Sequence, residues 1–203
     1  MTTSFISDDQ REALQEVTNI GMGQAGALLA RVLGEFVELS VPQIRTLQAA
    51  EIPAALGELV GGGIASAVRQ AFLGDLRGEA IVVFAEHSAH DLAELLGYED
   101  AVDDSAGAEL LLDISNVLVG ACLGGIADLL GAEIGFSAPS LLAHGVAASE
   151  LLQVEAIAAR CALVVEVRFG LKDRVFRCHL VTLMSEEAIA ALQRALDRFI
   201  EEL

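Results

Sequence analysis

The sequence predicts an α+β domain of two pseudo-symmetric halves, in which an antiparallel β-sheet assembled from both is covered by two long helices. Three observations predict it. Glu12, Glu16, Asn19, Gly23, Gly34 and Pro42 recur 97 positions later as Glu109, Asp113, Asn116, Gly120, Gly131 and Pro139, and the offset continues without insertion through Phe72 and Phe169, Arg77 and Arg174, and Ser88 and Ser185, the mark of an internal duplication. Helix-period and strand-like segments follow one another in the same order in each half. Hydrophobic residues make up 54% of the chain and aromatic residues 4%, so the interior is built from Leu, Ile, Val and Ala. Halves of about 97 residues are close to the size at which a private core becomes marginal, so residues 1–203 are expected to form a single domain with one core, from repeats at about 8–100 and 105–201.

Ser7-x-x-Gln10 reads as a capping box, and Leu14, Val17, Leu28 and Val32 follow helical spacing until Leu33-Gly34, which predicts a helix over about 8–33. Its copy begins near Asp104 or Ser105 and ends at Leu130-Gly131, with Leu111, Ile114, Leu118, Cys122 and Leu129 facing inward. Short strands follow at 36–41 and 133–137, each closed by the matched proline, which cannot donate to a ladder. Segments 64–72 and 79–85 flank a Gly74-Asp75 turn, and 162–170 and 175–183 flank Lys172-Asp173, giving two hairpins. Ser88 and Ser185 open closing helices near 89–97 and 186–201. Residues 43–63 and 140–155 are Ala/Gly-rich and poorly periodic and read as loops, with a helical turn near Pro53 to Leu56, and 98–105 is the hinge between the halves.

Bulk properties exclude several functions. A net charge of -18 with no Lys/Arg cluster repels phosphate backbones and anionic lipid, so nucleic-acid binding is not expected. The longest apolar run, Val117 to Ala127, falls short of the ~18 to 20 residues of a spanning helix. Residues 1–9 lack a basic and an apolar signal region, which points to the cytoplasm. Cys122, Cys161 and Cys178 are odd in number and have no C-x-x-C spacing, so they are expected as buried thiols. His87 and His90 lack a third metal ligand, and no metal is expected in this chain. Gly21-x-Gly23-x-x-Gly26 matches the dinucleotide fingerprint in letters, but a capped helix precedes it instead of a strand; close helix packing is expected to explain Gly26, Gly124 and Ala127.

At 100° per residue Glu12, Glu16, Asn19 and Gly23 fall at about 0°, 40°, -20° and 20°, one stripe opposite the apolar positions. A solvated helix face explains acids there. It does not explain a mid-helix Asn and Gly, poor helix formers costing up to ~1 kcal/mol, nor their return in the second helix at the same spacing.

The pattern acid-x3-Glu-x2-Asn-x22-Pro, carried by Glu12, Glu16, Asn19 and Pro42 and again by Glu109, Asp113, Asn116 and Pro139, resembles the signature of the CheC-type phosphatases of bacterial chemotaxis, a family that includes CheC, CheX and FliY. The resemblance spans essentially the whole chain. It implies hydrolysis of the aspartyl phosphate on a CheY-like response regulator, with Asn19 and Asn116 placing the attacking water and Glu16 pairing with the regulator's lysine, a contact that Asp113, one methylene shorter, would make only under strain or through a water. Glu12, Gly23, Glu109 and Gly120 would then belong to the partner-binding face. No cofactor is expected on this chain, the Mg2+ being the regulator's, and a CheD-type deamidase is the second partner the family suggests. Glu12 and Glu109 stand where the family usually has Asp or Ser, and Asp113 stands where it has Glu. Site one is therefore expected to be the stronger. The alternative is a non-catalytic adaptor that binds a receiver domain or a CheD-type deamidase. A flagellar-switch role is less expected, since no rotor domain follows Leu203.

Overall fold

Ser7 starts α1 (Asp8–Leu33) by a reciprocal capping box: its hydroxyl accepts the Gln10 amide at 3.1 Å while its own amide donates to Gln10 Oε1 at 3.0 Å. Gly34 ends the helix at φ 68°, in the left-handed region that favours glycine. In the equivalent α4 (Asp104–Leu129), Asp103 caps Ala106 at 2.9 Å, and Gly131 is left-handed just beyond the end. The computed structural model describes residues 5–48, 51–59, 61, 63–98, 103–147, 151, 161–171 and 176–202.

Between and after these helices run β1 (Val37–Leu39), β2 (Gln43–Gln48), α2 (Ile52–Leu59), β3 (Ile64–Gly74), β4 (Gly78–Ala85), α3 (Ser88–Leu95), β5 (Ile134–Phe136), β6 (Ser140–Ala147), β7 (Cys161–Leu171), β8 (Arg177–Met184) and α5 (Glu186–Glu201). The eight strands form one antiparallel sheet in the order β1-β7-β8-β4-β3-β5, with β2 also on β7 and β6 also on β3. The two halves interlock at its rims. β1 of the first half pairs with β7 of the second (Val37 with Leu171, Leu39 with Phe169), and β5 pairs with β3 (Ile134 with Gly74, Phe136 with Phe72), the same register at the 97-residue offset. Pro42 and Pro139 sit where each rim breaks into two short strands, a position that requires no ladder N–H.

Two expectations about the chain path are corrected. Residues 43–48 and 140–147, read as loops, are the rim strands β2 and β6, and the turn near Pro53 is the two-turn helix α2. The two hairpins also differ in register, although the 97-residue offset resumes at Ser88 and Ser185: Phe72 pairs with Gly78, whereas Phe169 pairs with Cys178, three positions beyond the equivalent of Gly78. Lys172, Asp173 and Arg174 lie outside the described residues.

The main core lies between one face of the sheet and helices α1, α4 and α5; it joins Leu14, Val17, Leu111 and Leu118 to Phe72, Phe84 and Phe169. A smaller cluster of Ile52, Ile81, Val83 and Val181 occupies the other face under α2. Val32, expected inward, is 44% exposed, and Leu29 and Leu33 are buried instead. The buried arc of α1 rotates along its length as its neighbours change from α5 near the start to α4 and β1 further on. By length and a mean hydropathy of 1.9 in its most apolar window, α4 could cross a membrane, but 61% of that window is buried within the fold. It is a core helix here.

Candidate functional site

The site is built on α1 and α4, which lie against each other on the sheet. Gly21 permits the approach: a Cβ placed on it would come 2.6 Å from the Cys122 backbone oxygen and 3.0 Å from the Ile126 side chain. Gly125 is closed in by Gln24 and the Gly21 Cα. The close packing expected of Gly26 and Gly124 is thus carried by Gly21 and Gly125; Gly26 faces the Leu39 side chain of β1, and Gly124 has open space.

Each helix presents the stripe outward. Glu12, Glu16, Asn19 and Gly23 are all exposed, and among the described residues none of the three side chains has a hydrogen-bond or ion-pair partner. A Cβ on Gly23 would meet nothing within 4 Å, so the stripe opens into a gap one turn beyond Asn19. On α4, Glu109, Asp113 and Asn116 are exposed, and Gly120 is half-buried with equally open space above it.

The two carboxamides differ in their surroundings. Asn116 Oδ1 accepts a 2.9 Å hydrogen bond from Nε2 of Gln70 on β3, and the same nitrogen donates to the Ser137 carbonyl at 2.8 Å. Gln70 is 1% exposed, and its own Oε1 is buried without a partner among the described residues. Sequence reading missed this residue. Its signal was available: Gln70 falls in the alternation Ser66, Val68, Gln70, Phe72, as the amide between two apolar core positions of a strand.

The stripe is suited to positioning small molecules by hydrogen bonds. An exposed carboxamide both donates and accepts without titrating, and a carboxylate one turn before it can meet a cation. An open surface of this kind becomes a closed site only against a partner. Among the described residues no group of three or more His, Cys, Asp or Glu could hold a metal, and Gly21, Gly23 and Gly26 lie within α1 and not at a strand-to-helix turn.

Glu166 is held between the His179 imidazole (Nδ1 at 3.6 Å) and the Arg45 guanidinium at 3.0 Å. His179 first, then Arg45, keeps its carboxyl below the usual carboxylate range against the opposing effect of burial. Burial pushes the Cys122 thiol up to about 12 and the Cys178 thiol higher still, so both are inert under the helices. The Cys161 side chain lies outside the described residues.

No family model matches the chain. It is 30% identical over 174 residues to the CheY-P phosphatase CheC of Bacillus subtilis (strain 168), covering 79% of this chain and 80% of that protein. Among solved structures, the fold is that of Thermotoga maritima FliY, with a TM-score of 0.75 at 17% identity over 96% of this chain and 98% of that one. It is also that of the CheX-CheY-BeF3-Mg+2 complex from Borrelia burgdorferi, with a TM-score of 0.51 at 15% identity, over 84% and 96% of the two chains. With the acid-x3-acid-x2-Asn stripe on both long helices, and at this identity over four fifths of each chain, the protein belongs to the CheC family.

Proposed function

We propose that this chain dephosphorylates a CheY-like response regulator, with Asn19 and Asn116 each placing a water in line with the phosphorus of its aspartyl phosphate. The observation that carries the reading is the exposed Asn19 carboxamide, without a partner among the described residues, one turn from the exposed Glu16 carboxylate and next to the open space over Gly23. An acyl phosphate is already reactive, and a receiver domain supplies its own Mg2+ and lysine. The helper's task is to remove the entropy of placing one water, which a carboxamide can do. Glu16 and Asp113 would meet the regulator's lysine, Glu12 and Glu109 extend the polar docking face, and Gly23 and Gly120 leave room for the partner's loops. Relatedness to CheC and the shared fold of a CheX solved with CheY support this partner class. Such a reaction belongs to the cytoplasm.

The test is phosphate release from a phosphorylated receiver with wild type, Asn19→Ala, Asn116→Ala and the double variant. Loss of both amides should slow release about 30-fold to 1000-fold, the ~2 to 4 kcal/mol of a positioned transition-state contact. Asn19→Ala should take the larger share, because Glu16 reaches one methylene further than Asp113. A non-catalytic adaptor would show the same release rate in all four proteins.

A further inference from the structure

We infer that Gln70 is a positioning residue of the second site, holding the Asn116 carboxamide in one orientation while Asn19 is left free. The inference rests on the phosphatase reading of Asn116. The carbonyl of Ser137 can only accept, so the 2.8 Å contact fixes Nε2 as the Gln70 atom at that end of the amide. The second hydrogen of that NH2 is directed at Asn116, 2.9 Å away, which must present its oxygen. Asn116 therefore keeps its NH2 and the second lone pair of Oδ1 for a ligand, with its side-chain torsions restrained from within the fold.

Two observations separate this role from that of a simple stitch across the break between β5 and β6. Gln70 Oε1 is buried with no partner among the described residues, a cost that a residue serving only the Ser137 carbonyl would not need to bear. The position 97 residues on is Val167, which has no amide to offer Asn19, although the backbone geometry at the other rim is repeated: Ser40 pairs with Arg168 as Ser137 pairs with Ala71, each serine hydroxyl accepting the opposite strand's amide at 3.0 Å. The clamp belongs to one half alone. The shorter Asp113 weakens docking at the second site, and a preset carboxamide works on the other quantity, the rate once docked.

The experiment combines kinetics with side-chain NMR. In the Asn19→Ala background, where release is carried by Asn116, Gln70→Met and Gln70→Asn should each lower kcat about threefold to tenfold and leave KM unchanged. In the Asn116→Ala background the same substitutions should leave the Asn19-carried rate as it was, which a general loss of stability would not do. In the unsubstituted protein without regulator, 15N relaxation should find the Asn116 NH2 rigid and the Asn19 NH2 mobile, a measurement that needs no variant to fold. Equal mobility of the two amides, an unchanged kcat in the Asn19→Ala background, or equal losses in both backgrounds would overturn the inference. If Asn116→Ala itself costs nothing in the Asn19→Ala background, the phosphatase reading of the second site fails and the kinetic part of the inference with it. If Asn116 matters and Gln70 does not, this inference fails alone.

Discussion

Gly21 of α1 lies so close to Cys122 of α4 that a methyl group on it would stand 2.6 Å from the Cys122 carbonyl oxygen. The obstacle is helix backbone, which cannot swing aside as a side chain can. Gly21→Ala gains up to ~1 kcal/mol in helix propensity and loses about 1 to 3 kcal/mol to overpacking, so the net effect is destabilising. Urea unfolding should show a lower midpoint with an unchanged slope; a raised midpoint would mean that the helices separate freely.

Two residues further on, the prediction has the opposite sign. Gly23 is exposed, and a Cβ there meets nothing within 4 Å. Gly23→Ala should stabilise the fold by up to ~1 kcal/mol, since glycine at an unpacked mid-helix position loses only entropy. Gly23→Phe should fold equally well yet bind a beryllofluoride-activated receiver at least about tenfold more weakly, because the ring fills the gap beside Asn19. Binding unchanged by the ring would show that no partner closes over this part of the helix.

The long helices and their polar stripe were legible from the chain because each signal is local. Ser7 with Gln10 and the left-handed glycines at 34 and 131 mark the ends regardless of what lies above or below; only the Asp103 cap of α4 is missed, since the sequence places that start near Asp104 or Ser105. The rim strands were not, because β2 and β6 are defined by partners more than 70 residues away, and the break at Pro42 and Pro139 obscures the alternation of segments such as Gln43-Ile44-Arg45. Leu29 replaces Val32 in the core for a similar reason: the face a long helix buries turns with its neighbours, which a single wheel projection does not contain. At the candidate site, Asn19 and Asn116 stand out by repetition, whereas Gln70 appears in only one half and so left no repeat to find.

Acid should weaken the fold partly through Glu166. His179 and Arg45 hold its folded pKa below the ordinary value near 4.5, so its contribution is present in full above that value and is lost as pH falls through the lowered folded pKa. Glu166→Gln should therefore be less stable than wild type at neutral pH, and the difference should shrink as pH falls below about 4.5. Thermal unfolding at a series of pH values measures it. A difference that stays constant down to pH 3 would show that the carboxylate charge contributes nothing through this pair.

The acid of the second stripe is the most direct handle on the asymmetry proposed for the two sites. Asp113 and Glu16 both stand one turn before their asparagine and both are exposed, so reach is what separates them. Restoring the methylene with Asp113→Glu should leave the fold unchanged, since the side chain points to solvent and glutamate is the better helix former. If the acid meets a lysine on the docked regulator, the gain appears in KM for the site carried by Asn116, by about threefold to tenfold and with kcat unmoved, because a contact made equally before and during hydrolysis strengthens binding alone. Measured in the Asn19→Ala background, the change is not masked by the first site. A rise in kcat with constant KM would place the carboxylate beside the water instead of the lysine, and no change in either would remove Asp113 from the interface.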